Sequence, residues 1–266
     1  MTKRKSTSTK PPIGTAAKME TGQRPAVSDD GASLPSERAT DSDVAEFIAK
    51  MKTMAPVATA GRGRLIFAMD ATMSRAPTWD MALQLQVDMF QAVKQVGGLD
   101  VQLVYFRGAG ECRASKWVSD PDALARLMTS VACHGGLTQI GKVLKHAVDE
   151  SRNRKVNALV YVGDCMEEDI DRLSARAGEL ALLGVPVFLF QEGEDPRAER
   201  GFREIARLTN GAFCRFDRGS ARQLCELLTA VAVYAAGGHK ALLALSSERN
   251  GEGARRLLAQ LKPPGR

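Results

Sequence analysis

The sequence predicts an α/β protein with a doubly wound, mostly parallel sheet of about six strands and helices on both faces. Short apolar runs, typical of strands buried on both faces, recur along the chain. Between them lie longer segments in which apolar residues repeat at helical spacing. This alternation continues from about residue 60 to about residue 235 without an internal repeat. Strand–helix alternation of this length indicates a parallel sheet whose crossover helices cover both faces.

The alternation begins with the apolar run RLIFAM, residues 64–69, which predicts the first strand. Residues 79–98 repeat apolar side chains at helical spacing and end at two glycines, so they predict a helix. The segment DVQLVYFRG, residues 100–108, predicts a second strand, and residues 111–118 predict its hairpin or edge partner. The segment DPDALARLMTSV predicts a helix from Pro121.

The second half of the chain predicts four further helices and three further strands. In order, these are a helix from Ile140, strand 156–163, helix 167–184, strand 185–191, helix 202–208, strand 211–217 and a helix through Tyr234. The ligand site of such a sheet lies outside the carboxyl ends of its strands. The residues that follow each strand are therefore the first place to look for function.

Three regions are expected along the chain. Residues 1–42 are rich in Ser, Thr, Pro, Gly, Lys and Asp, so they bury too little surface to offset their ordering entropy and are expected to be disordered. Residues 43–236 form the α/β domain, which opens with a short helix capped by Ser42. Residues 237–266 form a basic, partly helical tail with two leucine-containing segments, which dock on a partner or fold back on the domain.

The excess positive charge lies in the two tails. Residues 1–42 carry seven Lys and Arg against five Asp and Glu, residues 236–266 carry six against two, and the residues between them carry 24 of each sign. A nucleic-acid-binding domain would place its charge in the folded part, so we expect no nucleic-acid partner. The N-terminus lacks the apolar core of a signal peptide, and the longest apolar run, residues 180–190, is too short to span a bilayer. These features favour a cytoplasmic protein without a membrane partner.

The cysteine and histidine pattern argues against two kinds of site. The five cysteines include no C-x-x-C pair, so the sequence predicts neither a disulfide framework nor a tetrahedral zinc site and favours a reducing compartment. The three histidines are too scattered to be read as metal ligands.

Oxygen-bearing side chains gather at three strand-to-helix junctions. Asp70, Thr72 and Ser74 follow the first strand at alternate positions, Thr138 follows two glycines, and Asp164 follows strand 156–163. Each residue taken alone is explained as a helix cap, because Asp, Ser and Thr are preferred there. Together, at one edge of one sheet, they offer oxygen ligands without Cys or His, which suits a hard cation such as Mg²⁺.

These residues resemble the von Willebrand factor A (VWA) domain family. The order and spacing of the oxygen-bearing residues are similar to those of the family's metal-ion-dependent adhesion site: Asp70-x-Thr72-x-Ser74, then Thr138, then Asp164. The resemblance covers roughly residues 60–235. The family's fold is an open six-stranded sheet with one antiparallel edge strand, matching the short segment 111–118. Thr72 stands where the family usually has Ser, Met73 where a small residue is common, and Cys165 where glycine usually follows the Asp.

The resemblance implies a role for each residue of this site. Thr72 and Ser74 would bind the metal directly, Thr138 would bind in one conformational state, and Asp70 and Asp164 would act through water or hydrogen bonds. It implies Mg²⁺ or Mn²⁺ as the cofactor and an Asp or Glu of another protein as the completing ligand. A non-enzymatic, adaptor-type binding module is therefore the expected function.

An enzymatic alternative remains open in two forms. The loop Gly136–Lys142 matches the start of a phosphate-binding P-loop, but a predicted helix precedes it and Val143 follows the lysine where Ser or Thr is needed. Asp70 at a strand end also resembles the nucleophile of a haloacid-dehalogenase-like hydrolase or phosphatase, which needs a second acid where this chain has Thr72.

The loops at this edge of the sheet are expected to bring two of three arginines near Asp70. Arg75, Arg107 and Arg113 are expected either to steer an acidic partner or to cover the surface of the loops.

Overall fold

The computed structural model describes residues 62–93, 98–217, 220–249 and 251–263, without the side chains of Ser74 and of residues 85–88, 90, 91 and 93. The predicted tail 1–42 and the helix predicted after Ser42 lie outside the described residues.

The described chain forms one six-stranded sheet with the order β3-β2-β1-β4-β5-β6. The strands are β1 (Gly63–Asp70), β2 (Leu99–Arg107), β3 (Glu111–Ala114), β4 (Ala158–Gly163), β5 (Val187–Glu192) and β6 (Ala212–Phe216). All neighbouring strands pair in parallel except β3, which pairs antiparallel with β2 at the edge. The predicted fold class, including the antiparallel edge strand, is confirmed.

Seven α-helices are described. They are α1 (Ala76–Val93), α2 (Pro121–Thr129), α3 (Ile140–Asn153), α4 (Ile170–Leu182), α5 (Pro196–Leu208), α6 (Ala221–Ser246) and α7 (Glu252–Leu258). A single 3₁₀ turn, Met73–Arg75, leads from β1 into α1. Proline at the first position and a capping aspartate start α2 and α5, as helix-start chemistry predicts.

Two apolar cores lie on opposite faces of the sheet. Leu65, Phe67 and Met69 of β1 point into the core covered by α1, α2, α6 and α7, whereas Ile66 and Ala68 point into the core covered by α3, α4 and α5. Alternate residues of a strand face opposite sides, so a central strand buried on both faces has few polar positions, of which Arg64 is one in β1. This explains why the strands read as uninterrupted apolar runs.

The C-terminal segment packs on the domain. Helix α6 continues across the predicted boundary at residue 236 to Ser246, bending at Gly238, whose φ of 67° suits glycine. Leu242, Leu257 and Leu261 lie in the same core as β1. Of the two expectations for the tail, the described residues therefore show the one in which it folds back. By length and composition α6 is long and apolar enough to cross a membrane, as many core helices of soluble proteins are.

Candidate functional site

The carboxyl ends of β1 and β4 bring the first and third predicted loops together. The two strands are parallel neighbours in which Met69 pairs with Val162, so Asp70 and Asp164 emerge at the same edge of the sheet. One ligand atom each from Asp70, Asp164 and Cys165 lies within 4.8 Å of the others. We call this group of three residues the crest cluster. The predicted convergence of the two aspartates is thus present.

Asp70 is a buried carboxylate that is 1% exposed. Its Oδ1 accepts a hydrogen bond from the backbone N–H of Thr72 at 2.7 Å. Burial raises the pKa of Asp70 to about 6, against the opposing effect of the hydrogen bonds from Thr72. Keeping Asp70 ionised therefore destabilises the folded protein, and a bound cation would offset that destabilisation.

Asp164 and Cys165 complete the crest cluster from the loop after β4. Both residues are half-buried. Within the described part of the chain, Asp164 Oδ1 is buried without a hydrogen-bond partner. Burial, followed by the charge of Asp164, raises the pKa of the Cys165 thiol. Asp164 therefore does not act as a helix cap, and Asp169 caps α4 instead by accepting from Arg172 N.

The second loop, which carries Thr138, is held against the first by a backbone contact. The N–H of His134 donates to the carbonyl of Ala71 at 2.9 Å. A Cβ built on Gly136 would lie 2.3 Å from the carbonyl oxygen of Gly108, whereas one on Gly135 meets nothing within 4 Å. The sequence-based reasoning that the two glycines permit a close backbone approach therefore applies to Gly136.

Thr138 has a partner that sequence reasoning missed. Its hydroxyl donates to a carboxylate oxygen of Glu167 at 2.6 Å, and its N–H donates to the same oxygen at 2.9 Å. The hydroxyl also accepts from Glu167 N at 3.1 Å. Direct metal binding by Thr138 would require this arrangement to open or to share the hydroxyl oxygen.

Glu168 caps helix α3 across the same junction. Its carboxylate accepts from the N–H groups of Ile140 and Gly141 at 2.5 and 2.8 Å, where the helix's own cap position, Gln139, makes no side-chain cap bond. In the sequence, the only sign of this contact is the run of acidic residues after Asp164. That run suggests a cap on the helix that follows it, not a contact with a helix about 30 residues earlier in the chain.

Arg75 is neither a steering residue nor a surface residue. It is 1% exposed and forms an ion pair with Glu192, which also accepts from the hydroxyl of Thr78 at 2.6 Å. Within the described residues its Nε and Nη2 have no hydrogen-bond partner. The expectation for Arg75 was therefore wrong, because the 3₁₀ turn after Thr72 directs this side chain into the protein. Arg107 and Arg113 instead pair with Glu111.

The loop Gly136–Lys142 lacks the setting of a P-loop. It follows helix α2 rather than a strand, and the ammonium group of Lys142 donates to Gly110 O at 2.7 Å and to Gln139 Oε1 at 2.8 Å. A phosphate at this loop would have to compete for a lysine that is already bonded.

The donor set at the crest fits a divalent cation. Two carboxylates converge, and an oxygen of one is buried without a partner among the described residues. Thr72 is buried next to them, while the side chain of Ser74 lies outside the description. Asp70 and Asp164 would hold the cation, and Thr72, Ser74 and Thr138 remain predicted ligands. A divalent cation there would supply an electrophilic centre with exchangeable positions.

Comparison with known proteins places the fold. No protein-family model matches the sequence, and no curated protein matches it. Among solved structures, a von Willebrand factor type A protein from Catenulispora acidiphila aligns with a TM-score of 0.53 and 15% identity, over 66% of this chain and 43% of that one. The alignment thus spans less than half of the Catenulispora chain.

Two further structures align over a similar part of the chain. The SpRpn10 VWA domain aligns with a TM-score of 0.50 and 12% identity, over 64% of this chain and 95% of that one. The mussel byssus protein PTMP1, described with a zinc-occupied MIDAS motif, aligns with a TM-score of 0.51 and 17% identity, over 66% of this chain and 46% of that one. The chain therefore has the von Willebrand factor A fold.

Proposed function

We propose that the protein is a non-enzymatic binding module whose crest holds a divalent cation and engages an acidic residue of a partner protein through it. The observation that carries the proposal is the convergence of Asp70 and Asp164, with ligand atoms within 4.8 Å, at the ends of two adjacent strands. The Asp70 carboxylate is 1% exposed, and its pKa is raised even though the charge of the buried Arg75 acts to lower it, so keeping Asp70 ionised is costly unless a further cation accompanies it.

The surface around the crest cluster supports a protein partner. Met73 and Leu137 are each 63% exposed, and each immediately precedes a predicted cation ligand, Ser74 and Thr138 respectively. Only two other large apolar side chains in the described residues are more than half exposed, Leu182 and Leu243. Apolar side chains exposed beside a polar centre are typical of interaction sites. The partner therefore presents a carboxylate next to apolar side chains.

The cation makes such a partner's carboxylate the favoured ligand. If Thr72, Ser74 and Thr138 bind directly and Asp70 and Asp164 act through water or hydrogen bonds, positive charge stays on the metal, and an entering carboxylate neutralises it. The zinc-occupied motif of the mussel protein is consistent with a divalent ion at this place in the fold. We propose that the module serves as an adaptor in the cytoplasm.

Selection from a library of displayed peptides tests the proposal. Selection is carried out on the immobilised full chain with a divalent cation, and the selected peptides are then rebound with EDTA and to the variant Asp70→Asn, which keeps an acceptor for Thr72 N. We expect the enriched peptides to share one Asp or Glu flanked by apolar residues and to lose binding under both treatments. Peptides that lack an acidic residue, or that bind equally well in EDTA, would contradict the proposal.

A further inference from the structure

We propose that Cys165 makes the crest site selective for the thiophilic cation Zn²⁺, with Asp70, Asp164 and Cys165 as its three protein ligands. This inference rests on the proposed function, because it names the cation of the same site. It differs from the expectation of Mg²⁺ or Mn²⁺, which counted Cys165 only as a departure from the family pattern.

The spacing of the crest cluster is close to that of a tetrahedral site. Its three ligand atoms lie within 4.8 Å of one another. Zinc bonds of about 2.0–2.3 Å to oxygen and sulfur place two tetrahedral ligands about 3.6 Å apart. Closing the remaining distance needs side-chain adjustments of about 1 Å or less. Asp164 and Cys165 are half-buried, so an ion has a route from solvent.

Besides Nε and Nη2 of the buried Arg75, two polar groups at the site lack hydrogen-bond partners within the described part of the chain. One is Asp164 Oδ1, which is buried. The other is the hydroxyl of Tyr161, a residue that is 1% exposed. This hydroxyl lies over Gly163, the residue before Asp164, and a Cβ built on Gly163 would be 2.7 Å from it. Buried polar groups without protein partners are usually satisfied by a bound ion or water.

Ligand chemistry separates zinc from the harder ions. Thiolate ligands select zinc, whereas magnesium requires six oxygens in near-ideal octahedral geometry. The hydroxyl of Thr138 is engaged twice by Glu167, and the Cys165 thiol donates to a carboxylate oxygen of Glu167 at 3.9 Å, so either residue would have to leave Glu167 to bind a cation. Three protein ligands leave a fourth position open for an exchangeable ligand. The sequence analysis argued against zinc because the cysteines form no C-x-x-C pair and the histidines are scattered, and neither criterion detects a site built from two carboxylates and one cysteine.

Metal titrations of the full chain test this assignment. Zn²⁺ affinity is measured by competition with a chromophoric chelator, and Mg²⁺ affinity by calorimetry, for the wild type, Cys165→Gly, Cys165→Ser and the control Cys112→Ser, another half-buried cysteine. We expect both Cys165 variants to lose Zn²⁺ affinity by more than about 100-fold, since loss of an outer-shell group alone costs about 10–100-fold. Cys112→Ser should match the wild type. The wild-type Co²⁺ complex should show a thiolate-to-metal charge-transfer band that both Cys165 variants lack.

The outcomes distinguish this inference from the proposed function. Equal Zn²⁺ affinity in the wild type and Cys165→Gly, with no charge-transfer band, overturns the zinc assignment. The proposed function would then stand if Mg²⁺ or Mn²⁺ binding still depended on Asp164. Absence of binding by any of these ions would overturn both. Circular dichroism of each variant shows whether a loss of affinity reflects loss of the fold.

Discussion

Replacing Asp70 with Asn should stabilise the metal-free protein. Asp70 is 1% exposed, and burial raises its pKa from 3.8 to about 6. The shift of about two pKa units corresponds to about 3 kcal/mol at about 1.4 kcal/mol per unit. Asn keeps an oxygen that can accept from Thr72 N and removes the buried charge. We expect the variant to be more stable by up to about 3 kcal/mol at pH 7.5 in EDTA.

The sign of the effect sets its pH dependence. The pKa of Asp70 is higher in the folded state, so its protonated form favours folding, and this stabilisation is lost as pH rises through about 6. The advantage of Asp70→Asn should therefore be present at pH 7.5 and small near pH 4. Saturating cation should reverse the order, because a ligand at about 1,000 times its Kd adds about 4 kcal/mol to a protein that binds it.

Urea unfolding at pH 7.5 and pH 4 measures these differences in the free energy of unfolding. The control is Asp120→Asn, which changes an exposed cap that accepts from Ala123 N at 2.8 Å. Asn and Asp cap equally well, so little change is expected there. A destabilised Asp70→Asn protein in EDTA at pH 7.5, or an advantage that persists at pH 4, would refute the reasoning.

Two further substitutions test the structure beneath and beside the crest. Arg75→Met should lower the free energy of unfolding by about 3–5 kcal/mol, because it leaves Glu192 buried without its ion pair. In denaturant unfolding, adding Glu192→Gln to this variant should recover part of that loss. If the effects of the two substitutions simply add, the ion pair would be contradicted. Gly136→Ala should destabilise the protein by about 1–3 kcal/mol, because the added Cβ meets the backbone of Gly108. Gly135→Ala should change the thermal stability little, because a Cβ there meets nothing within 4 Å. Equal effects of the two substitutions would contradict the close approach of Gly136 to Gly108.

The fold was predictable because the strands of a doubly wound sheet are buried on both faces. Such strands appear as continuous apolar runs, and β1 has residues of both cores in alternation. The antiparallel edge strand β3 was predictable only as a short segment next to β2, since its four residues are half-buried or exposed. The extent of α6 was harder to predict, because its helical backbone is interrupted at Gly238 and resumes directly after it.

The candidate site was predictable where topology alone fixes it. Parallel neighbours place Asp70 and Asp164 at one edge, so strand ends were enough to bring them together. The contacts of Glu167 and Glu168 with the loop at Thr138 were not predictable, because they join residues about 30 positions apart. The burial of Arg75 depends on the direction of one 3₁₀ turn, which residue spacing does not specify.

The most direct test of the central claim is anomalous scattering from crystals of the full chain soaked with Zn²⁺ and, separately, with Mn²⁺. A cation site at the crest predicts an anomalous peak between the carboxylates of Asp70 and Asp164 with at least one of the two ions. That peak should be absent from crystals of Asp164→Ala that are soaked in the same way. No peak at the crest with either ion, in crystals where both loops are ordered, would contradict the account.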